Sequence, residues 1–176
     1  MRALGPGSVS SLLKIVLDVV YGLMLFAVGV LVIAAIAALL FKIDPAVVKQ
    51  MSIDGLPAER LTQGPVIALL LTVVGLYVGG VTVVIHRLRQ IFTTLTAGDP
   101  FHPDNVMRLR LIGLMLVTLE LTGYAISAGQ IWLFPSGTRE ETVFSLSSWF
   151  SILVVFVLAE VFREGARLRR EAELTI

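Results

Sequence analysis

The chain has 176 residues, of which 56% are hydrophobic and 15% are charged, with a net charge of +1 and no cysteine. This composition lies well outside the range of soluble globular domains and indicates a membrane protein. The small net charge argues against bulk binding of nucleic acid, and the lack of cysteine excludes disulfide exchange, thiolate catalysis and cysteine-ligated metals.

Four apolar runs follow one another along the chain, and each is near the roughly 20 residues that a helix needs to cross a bilayer. The first run is too long for the core of a signal peptide, so we interpret it as a retained helix. The sequence therefore predicts an all-α integral membrane four-helix bundle, with residues 1–176 forming a single domain. The predicted spans cover approximately residues 15–41, 65–88, 107–133 and 143–163.

The distribution of positive charge predicts the orientation of these helices. Ten lysines and arginines lie near the two termini and in the connection between helices two and three, against four in the other two connections. Because basic residues are enriched on the cytoplasmic side, we expect both termini and residues 86–110 in the cytoplasm. The expected location is the cytoplasmic (inner) membrane, which the chain would cross four times.

The two connections predicted to lie outside carry weaker patterns. The spacing of Val47, Val48 and Met51 would let a short helix lie on the outer leaflet. The segment from Pro135 to Gly137 is typical of a turn, which makes helices three and four antiparallel neighbours.

Small residues on the predicted spans permit close approach of helix backbones. Because such patterns are common in membrane helices generally, we interpret these glycines as packing residues and not as parts of a binding site. The predicted packing positions are Gly22, Gly29, Gly75, Gly79 and Gly113.

Glu120 is the strongest single candidate for chemistry, because it falls close to the expected bilayer midplane, where an ionised carboxylate is costly. One interpretation is a neutral Glu120 that is hydrogen-bonded to a neighbouring helix. The other is a carboxylate that binds a proton, a cation or a small ligand in a cavity near Tyr124 and Thr72. Both interpretations stay open at this point.

Two further carboxylates lie near the expected cytoplasmic boundary. Asp18 follows Lys14 by four residues, and Glu160 precedes Arg163 by three. Residues at these spacings are neighbours on a helix surface, so we expect each carboxylate to form an ion pair on its own helix.

The connection at residues 86–110 carries the most specific local signals. An apolar stripe continues through Leu95, so helix two should run beyond the membrane. Gly98 is a natural helix stop in the left-handed conformation, and Phe101 follows as an apolar anchor. Pro103 and Asp104 then mark the entry to helix three, since proline and an acidic residue both suit a first turn.

The residues after Glu160 predict a mixed-charge helical tail, with pairs such as Arg167–Glu171 and Arg169–Glu173. One interpretation is a solvated helix whose arginines meet anionic lipid headgroups. The alternative is a tail that packs on residues 86–110 and completes a cytoplasmic contact surface. The residues predicted for that surface are Arg87, Arg89, Phe101, Asn105, Arg108, Arg110, Arg163 and Arg167.

Motifs of common enzyme classes do not occur in the sequence. There is no His-Glu-x-x-His motif, no nucleophile elbow and no phosphate-binding glycine loop, and two histidines are too few for a histidine-rich metal site. We therefore expect no enzyme, no catalytic residue, no metal and no cofactor.

Several segments together resemble a known family. They are Gly98-Asp-Pro-Phe101, Asn105, Leu109-Arg-Leu-Ile-Gly113, and the C-terminal stretches from Glu160 to Leu168 and from Glu173 to Ile176. The family is the bacterial and archaeal membrane family called Domain of Unknown Function 2975, and the resemblance spans nearly the whole chain. That family has no assigned activity. Its members are often encoded beside small helix-turn-helix regulators, which implies a role in sensing or in holding such a regulator at the membrane.

We therefore expect a non-enzymatic membrane protein with a regulatory or accessory role, exerted through cytoplasmic protein contacts. The alternative is a protein that binds a small molecule, an ion or a proton in a cavity at Glu120. The expected partners are the lipid bilayer and a cytoplasmic regulator protein, with no direct contact to nucleic acid. Association with a second copy of the chain stays open.

Overall fold

Four long helices make up the computed structural model, which describes residues 9–40, 64–133 and 145–174. They are α1 (Val9–Leu40), α2 (Gly64–Thr96), α3 (Pro103–Leu133) and α4 (Leu146–Leu174). No strand occurs within these described ranges. The prediction of an all-α chain with four helices is confirmed.

Each helix is long and apolar enough to cross a membrane. The shortest has 29 residues, or roughly 45 Å at 1.5 Å per residue, whereas the hydrocarbon core is about 30 Å thick. The chain is therefore a multi-pass membrane protein whose helices are longer than the bilayer core requires.

The end of α2 and the start of α3 follow the local signals in the sequence. Gly98 has a positive φ of 83°, and the backbone N–H groups of residues 97–99 donate to carbonyls in the last turn of α2. His102 directly precedes α3 and caps its first turn, because its Nδ1 accepts from the backbone N–H of Asp104 at 3.3 Å. The predicted glycine stop and the proline-started helix are both confirmed.

The chain divides into two compact units. The described residues of the first unit are 9–23, 80–120 and 145–174, so it contains the connection between α2 and α3 together with all of α4. Its core is formed by Ile91, Leu109, Ile112 and Ala159. The apolar stripe predicted on α2 packs against this core, since Leu88 and Leu95 both contact it.

The described residues of the second unit are 24–40, 64–79 and 121–133. Its buried hydrophobic side chains are Ala35, Ala38 and Ala68, all of them small. A Cβ added at Gly75 would lie 3.8 Å from the Cβ of Leu31, which is ordinary van der Waals contact. This unit therefore packs α1 and α2 through small side chains, as membrane helices commonly do.

The other predicted packing glycines have different surroundings. In the first unit, Gly113 meets the ring of Phe156, which would lie 2.9 Å from an added Cβ. Around Gly22, Gly29 and Gly79, in contrast, no described atom lies within 4 Å of such a Cβ. These three positions are open, so the close approach predicted there is not made by the described part of this chain.

Two predicted features lie outside the described residues. They are the short outer helix around Val47, Val48 and Met51, and the turn from Pro135 to Gly137.

Candidate functional site

The best-defined polar site lies in the first unit, where the α2–α3 connection meets the end of α4. We call residues 86–110 together with residues 160–174 the cap. Its contacts bring together segments that are about 70 positions apart in the sequence, as in the pair of Asp99 and Arg169. The cap is therefore a tertiary structure and not a simple connection between two spans.

Asn105, in the first turn of α3, is the centre of the connection. Its side chain is fully buried. The Nδ2 group donates to the hydroxyl of Thr94 at 2.7 Å and to the carbonyl of Pro100 at 3.1 Å. Its Oδ1 accepts from Nη1 of Arg108 at 2.9 Å. Asn105 thus joins the end of α2, the turn and α3 through one amide, and both its donor and acceptor groups are used.

Arg108 extends this network across to α2. Its Nη1 also donates to the backbone carbonyl of Gln90 at 3.3 Å, and its Nη2 lies 3.7 Å from the carboxylate of Asp104. The guanidinium is largely buried, with 20% of the side chain exposed. Arg108 therefore braces the two helices and is only partly available to a partner.

Phe101 anchors the connection on α4. Its ring centroid lies 5.7 Å from that of Phe162 in a tilted arrangement, which is a favourable geometry for aromatic pairs. The same ring covers Gly165, where an added Cβ would lie 2.5 Å from Cδ1 and Cε1 of Phe101. Only glycine leaves room for this contact without a shift of the ring or of the helix.

Ion pairs add to the apolar contact between connection and tail. Arg169 contacts the carboxylate of Asp99 and also donates through Nε to Glu173 at 3.0 Å. Arg167 bridges Glu164 at 2.7 Å and Glu171 at 3.5 Å on its own helix. Of the two interpretations of the tail, the structure therefore favours packing on residues 86–110, and the predicted pairs within the tail are present.

The two carboxylates predicted near the cytoplasmic boundary, Glu160 and Asp18, differ in where their ion-pair partners lie. Glu160 pairs with Arg163 on its own helix, as predicted. Asp18 pairs with Arg89 of α2, so the prediction of a partner at Lys14 is wrong. The physical reason is the position of α1, which packs Tyr21 against the ring of His86 at 5.3 Å and under the guanidinium of Arg89 at 5.1 Å.

Gln90 is a second polar centre, one helical turn from His86. Its Oε1 accepts from Nη1 of Arg87 at 3.1 Å, and its Nε2 lies 3.0 Å from Nε2 of His86. Its backbone carbonyl accepts from Arg108. Three basic side chains therefore surround one neutral glutamine at the junction of α2 and α3.

The predicted contact residues fall into three groups. Arg110, Arg163 and Arg167 are exposed on the cap. Asn105 is buried, so its prediction as a surface contact is wrong, because its amide closes the connection from inside. The third group takes part in internal contacts and consists of Arg87, Arg89, Phe101 and Arg108. The exposed fraction is 37% for the side chain of Arg89 and 38% for Phe101.

Sequence reasoning missed two residues on which the cap depends, Gln90 and Gly165. Gln90 lies three and four positions after Arg87 and His86, so helix spacing could have indicated these two contacts, whereas its contact with Arg108 depends on which helix lies beside it. Gly165 had a usable signal, because a glycine inside a charged helix is costly without a packing reason. Its reason is the ring of Phe101.

The predicted ligand candidates lie in the apolar parts of the helices. Glu120 and Tyr124 are one turn apart on α3, and both are half-buried. Thr72, in the second unit, is exposed and donates to the carbonyl of Ala68 on its own helix at 2.7 Å. Within the described ranges, no group of three histidine, aspartate or glutamate side chains could hold a metal ion.

Comparison with known proteins gives one match. A family model described as "Protein of unknown function (DUF2975)" matches residues 55–176. The match includes every segment on which the resemblance rested. It begins after α1, so it covers less of the chain than the resemblance predicted, which was nearly all of it. No curated protein and no solved structure matches the chain.

Proposed function

This chain belongs to the DUF2975 family, and we propose that it is a non-enzymatic protein of the cytoplasmic membrane that acts by binding a regulator protein at its cap. The family is one of unknown function, so the proposal is supported by the geometry of the cap. The tail has contacts of its own with the connection, beyond what four membrane spans require.

The observation that carries the proposal is the closure of the cap by the buried Asn105 and by the packing of Phe101 on Gly165. A connection of two spans needs only enough chain to turn round. Here it is fixed by a fully buried amide, an aromatic contact and an ion pair to the tail. Rigid support of this kind is what a recognition surface requires, because it lowers the entropy cost of binding.

The exposed part of the cap has a chemistry suited to a protein partner. Arg110, Arg163 and Arg167 are exposed, and Glu160, Glu164 and Glu171 are interspersed on the same tail. Mixed charges steer association and select partners more than they add affinity. The excess of lysine and arginine at this end of the helices supports a cytoplasmic position for the cap. The partner that the family resemblance favours is a small helix-turn-helix regulator.

Single cysteines test the orientation, because the natural chain contains none. Arg110→Cys and Arg167→Cys should react with a membrane-impermeant maleimide in inverted vesicles and should be protected in intact cells. Leu76→Cys is the control, since Leu76 is 72% exposed in the apolar part of α2 and should be protected in both. Labelling of the cap positions in intact cells would overturn the cytoplasmic assignment.

Photo-crosslinking tests the contact itself. A photoreactive residue at Arg110 or Arg163 should crosslink a co-expressed helix-turn-helix regulator from the same gene neighbourhood. The same residue at Phe150, which is 65% exposed on the apolar part of α4, should not. Charge reversal of Arg163 and Arg167 to glutamate should lower the yield at Arg110 by about tenfold, as loss of charge complementarity does. Equal yields from Arg110 and Phe150 would contradict the proposal.

A second candidate function follows from Glu120, which is half-buried inside a helix able to span the membrane. A carboxylate at such a place is costly and is a default candidate for binding a proton or cation. If it titrates, labelling by a hydrophobic carbodiimide should depend on pH and disappear in Glu120→Gln. A Glu120→Gln protein that keeps its full function would exclude this candidate, because glutamine forms hydrogen bonds but does not ionise.

A further inference from the structure

The polar centre at Gln90 contains two nitrogen atoms that lack an acceptor. Nε of Arg87 and Nδ1 of His86 are buried, and no hydrogen-bond partner for either lies among the described residues. Buried donors without a partner are rare in folded proteins, because each costs about 1–3 kcal/mol. Two of them on adjacent residues call for a physical reason.

The hydrogen-bond network determines what kind of group is missing. Arginine only donates, so the contact from Arg87 makes Oε1 of Gln90 the acceptor and leaves its Nε2 as a donor toward His86. Nε2 of His86 must then accept, which places the ring proton on Nδ1. Both unpartnered atoms are therefore donors, and the missing group is an acceptor.

The charge of the site indicates that this acceptor is an anion. Arg87 has no carboxylate within ion-pair distance in the described structure, and its partner is the neutral amide of Gln90. Arg108, on the facing helix, donates to the backbone carbonyl of Gln90. Among the described residues, the one carboxylate near its guanidinium is that of Asp104, at 3.7 Å. A guanidinium presents a fork of donors that matches the oxygens of a phosphate group.

The position of the site along α2 indicates where such an anion comes from. Arg87 follows the last residue of an apolar run, Ile85, by two positions. We therefore expect the side chains of residues 86 and 87 at the depth where the apolar part of the helix leaves the hydrocarbon and meets the phosphate groups of the lipids.

We propose that the basic site formed by His86, Arg87 and Arg108 around Gln90 binds the phosphate group of an anionic phospholipid. Arg87 supplies the charge, and Nε of Arg87 and Nδ1 of His86 are the two donors, without a partner among the described residues, from which the phosphate oxygens accept. Gln90 is the positioning residue that holds the basic groups together. The site lies within the cap, at the junction of α2 and α3, and it shares no residue with the exposed surface of Arg110, Arg163 and Arg167 that is proposed for the protein contact.

Native mass spectrometry of the full-length protein in mild detergent tests this site. The protein is exposed to phosphatidylglycerol or to phosphatidylcholine with the same acyl chains, and the lipid retained after delipidation is counted. We expect preferential retention of phosphatidylglycerol. Arg87→Gln should lower it by about tenfold, the ratio expected when a charge-assisted hydrogen bond is lost.

A matched control separates the site from general attraction to basic residues. Arg110 is also an arginine near the same end of α3, but it is exposed. Arg110→Gln removes the same charge and should leave the retention ratio within about twofold of the natural protein, as expected for an exposed arginine. Equal losses in Arg87→Gln and Arg110→Gln would overturn the proposal in favour of general electrostatics.

Two further arms keep the proposal falsifiable. If Arg87→Gln fails to fold by circular dichroism, Arg87→Lys replaces it, since lysine keeps the charge but loses the fork of donors and should still lower retention. Inorganic phosphate is the soluble probe. Displacement of the retained lipid by phosphate at equimolar concentration would show a free-phosphate site and not a lipid site. Equal retention of the two lipids would also overturn the proposal.

Discussion

The two compact units of this protein hold their helices together in different ways. In the first unit, large apolar side chains such as Ile91 and Leu109 form the core, and polar side chains connect segments distant in sequence. Among the described residues of the second unit, the buried hydrophobic side chains are alanines, and a glycine of α2 lies beside Leu31 of α1.

The difference follows from the interactions that are favourable in each environment. Within lipid, apolar side chains gain little by leaving their surroundings, so close contact between backbones through small residues is the available source of attraction. At the cap, charged and amide groups can form specific hydrogen bonds that depend on direction and distance. We expect the cap to be specific and sensitive to substitution, and the alanine-lined unit to tolerate conservative changes.

The largest expected effect is at Asn105. Asn105→Ala removes three hydrogen bonds and leaves the Thr94 hydroxyl, the Pro100 carbonyl and Arg108 short of a partner. We expect the free energy of unfolding to fall by about 3 kcal/mol, measured by denaturation in mild detergent with circular dichroism.

The control for Asn105 lies in the second unit. Thr72→Val removes one hydrogen bond to the carbonyl of its own helix from an exposed side chain, and the change should stay within about 0.5 kcal/mol. Equal effects of Asn105→Ala and Thr72→Val would remove the contrast between the two units.

A smaller effect is expected at Gly165, where a methyl group would collide with the ring of Phe101. Gly165→Ala should lower the free energy of unfolding by about 2 kcal/mol, the usual cost of overpacking. Gly22→Ala introduces the same methyl group into open space and should change stability by less than about 0.5 kcal/mol. Combining Gly165→Ala with Phe101→Ala should cost less than the sum of the two single changes, since the collision is then removed.

The smallest effect is expected for the pair of Asp18 and Arg89, both about one third exposed. A double-mutant cycle with Asp18→Asn and Arg89→Gln should give a coupling of about 0.5–1 kcal/mol that weakens as salt is added. The corresponding cycle with Lys14→Gln should give no coupling. A coupling between Asp18 and Lys14 alone would restore the pairing expected from helix spacing and would contradict the ion pair between α1 and α2.

Much of the cap was predictable where the cause is local. The stop at Gly98, the entry at Pro103 and the pair of Arg169 and Glu173 depend on residues within four positions of one another, and sequence spacing reveals them. The burial of Asn105 and the partner of Asp18 were not predictable in this way. The residues next to an asparagine in the sequence are the same whether its side chain is exposed or buried, and those next to an aspartate do not reveal a partner on another helix. Only the neighbouring helix decides both.

The sequence by itself determined that this is a membrane protein with four apolar helices, because hydropathy and helix length act within each segment separately. It also determined the family, since the matched segments occur along residues 55–176. The tertiary structure decided which polar residues meet: Phe101 with Gly165, Asp18 with Arg89, and three basic side chains around Gln90. Apart from the contacts of His86 and Arg87 with Gln90, which lie within one turn of α2, these contacts join separate segments of the chain. Their energies depend on distances of a few ångströms that no local pattern contains.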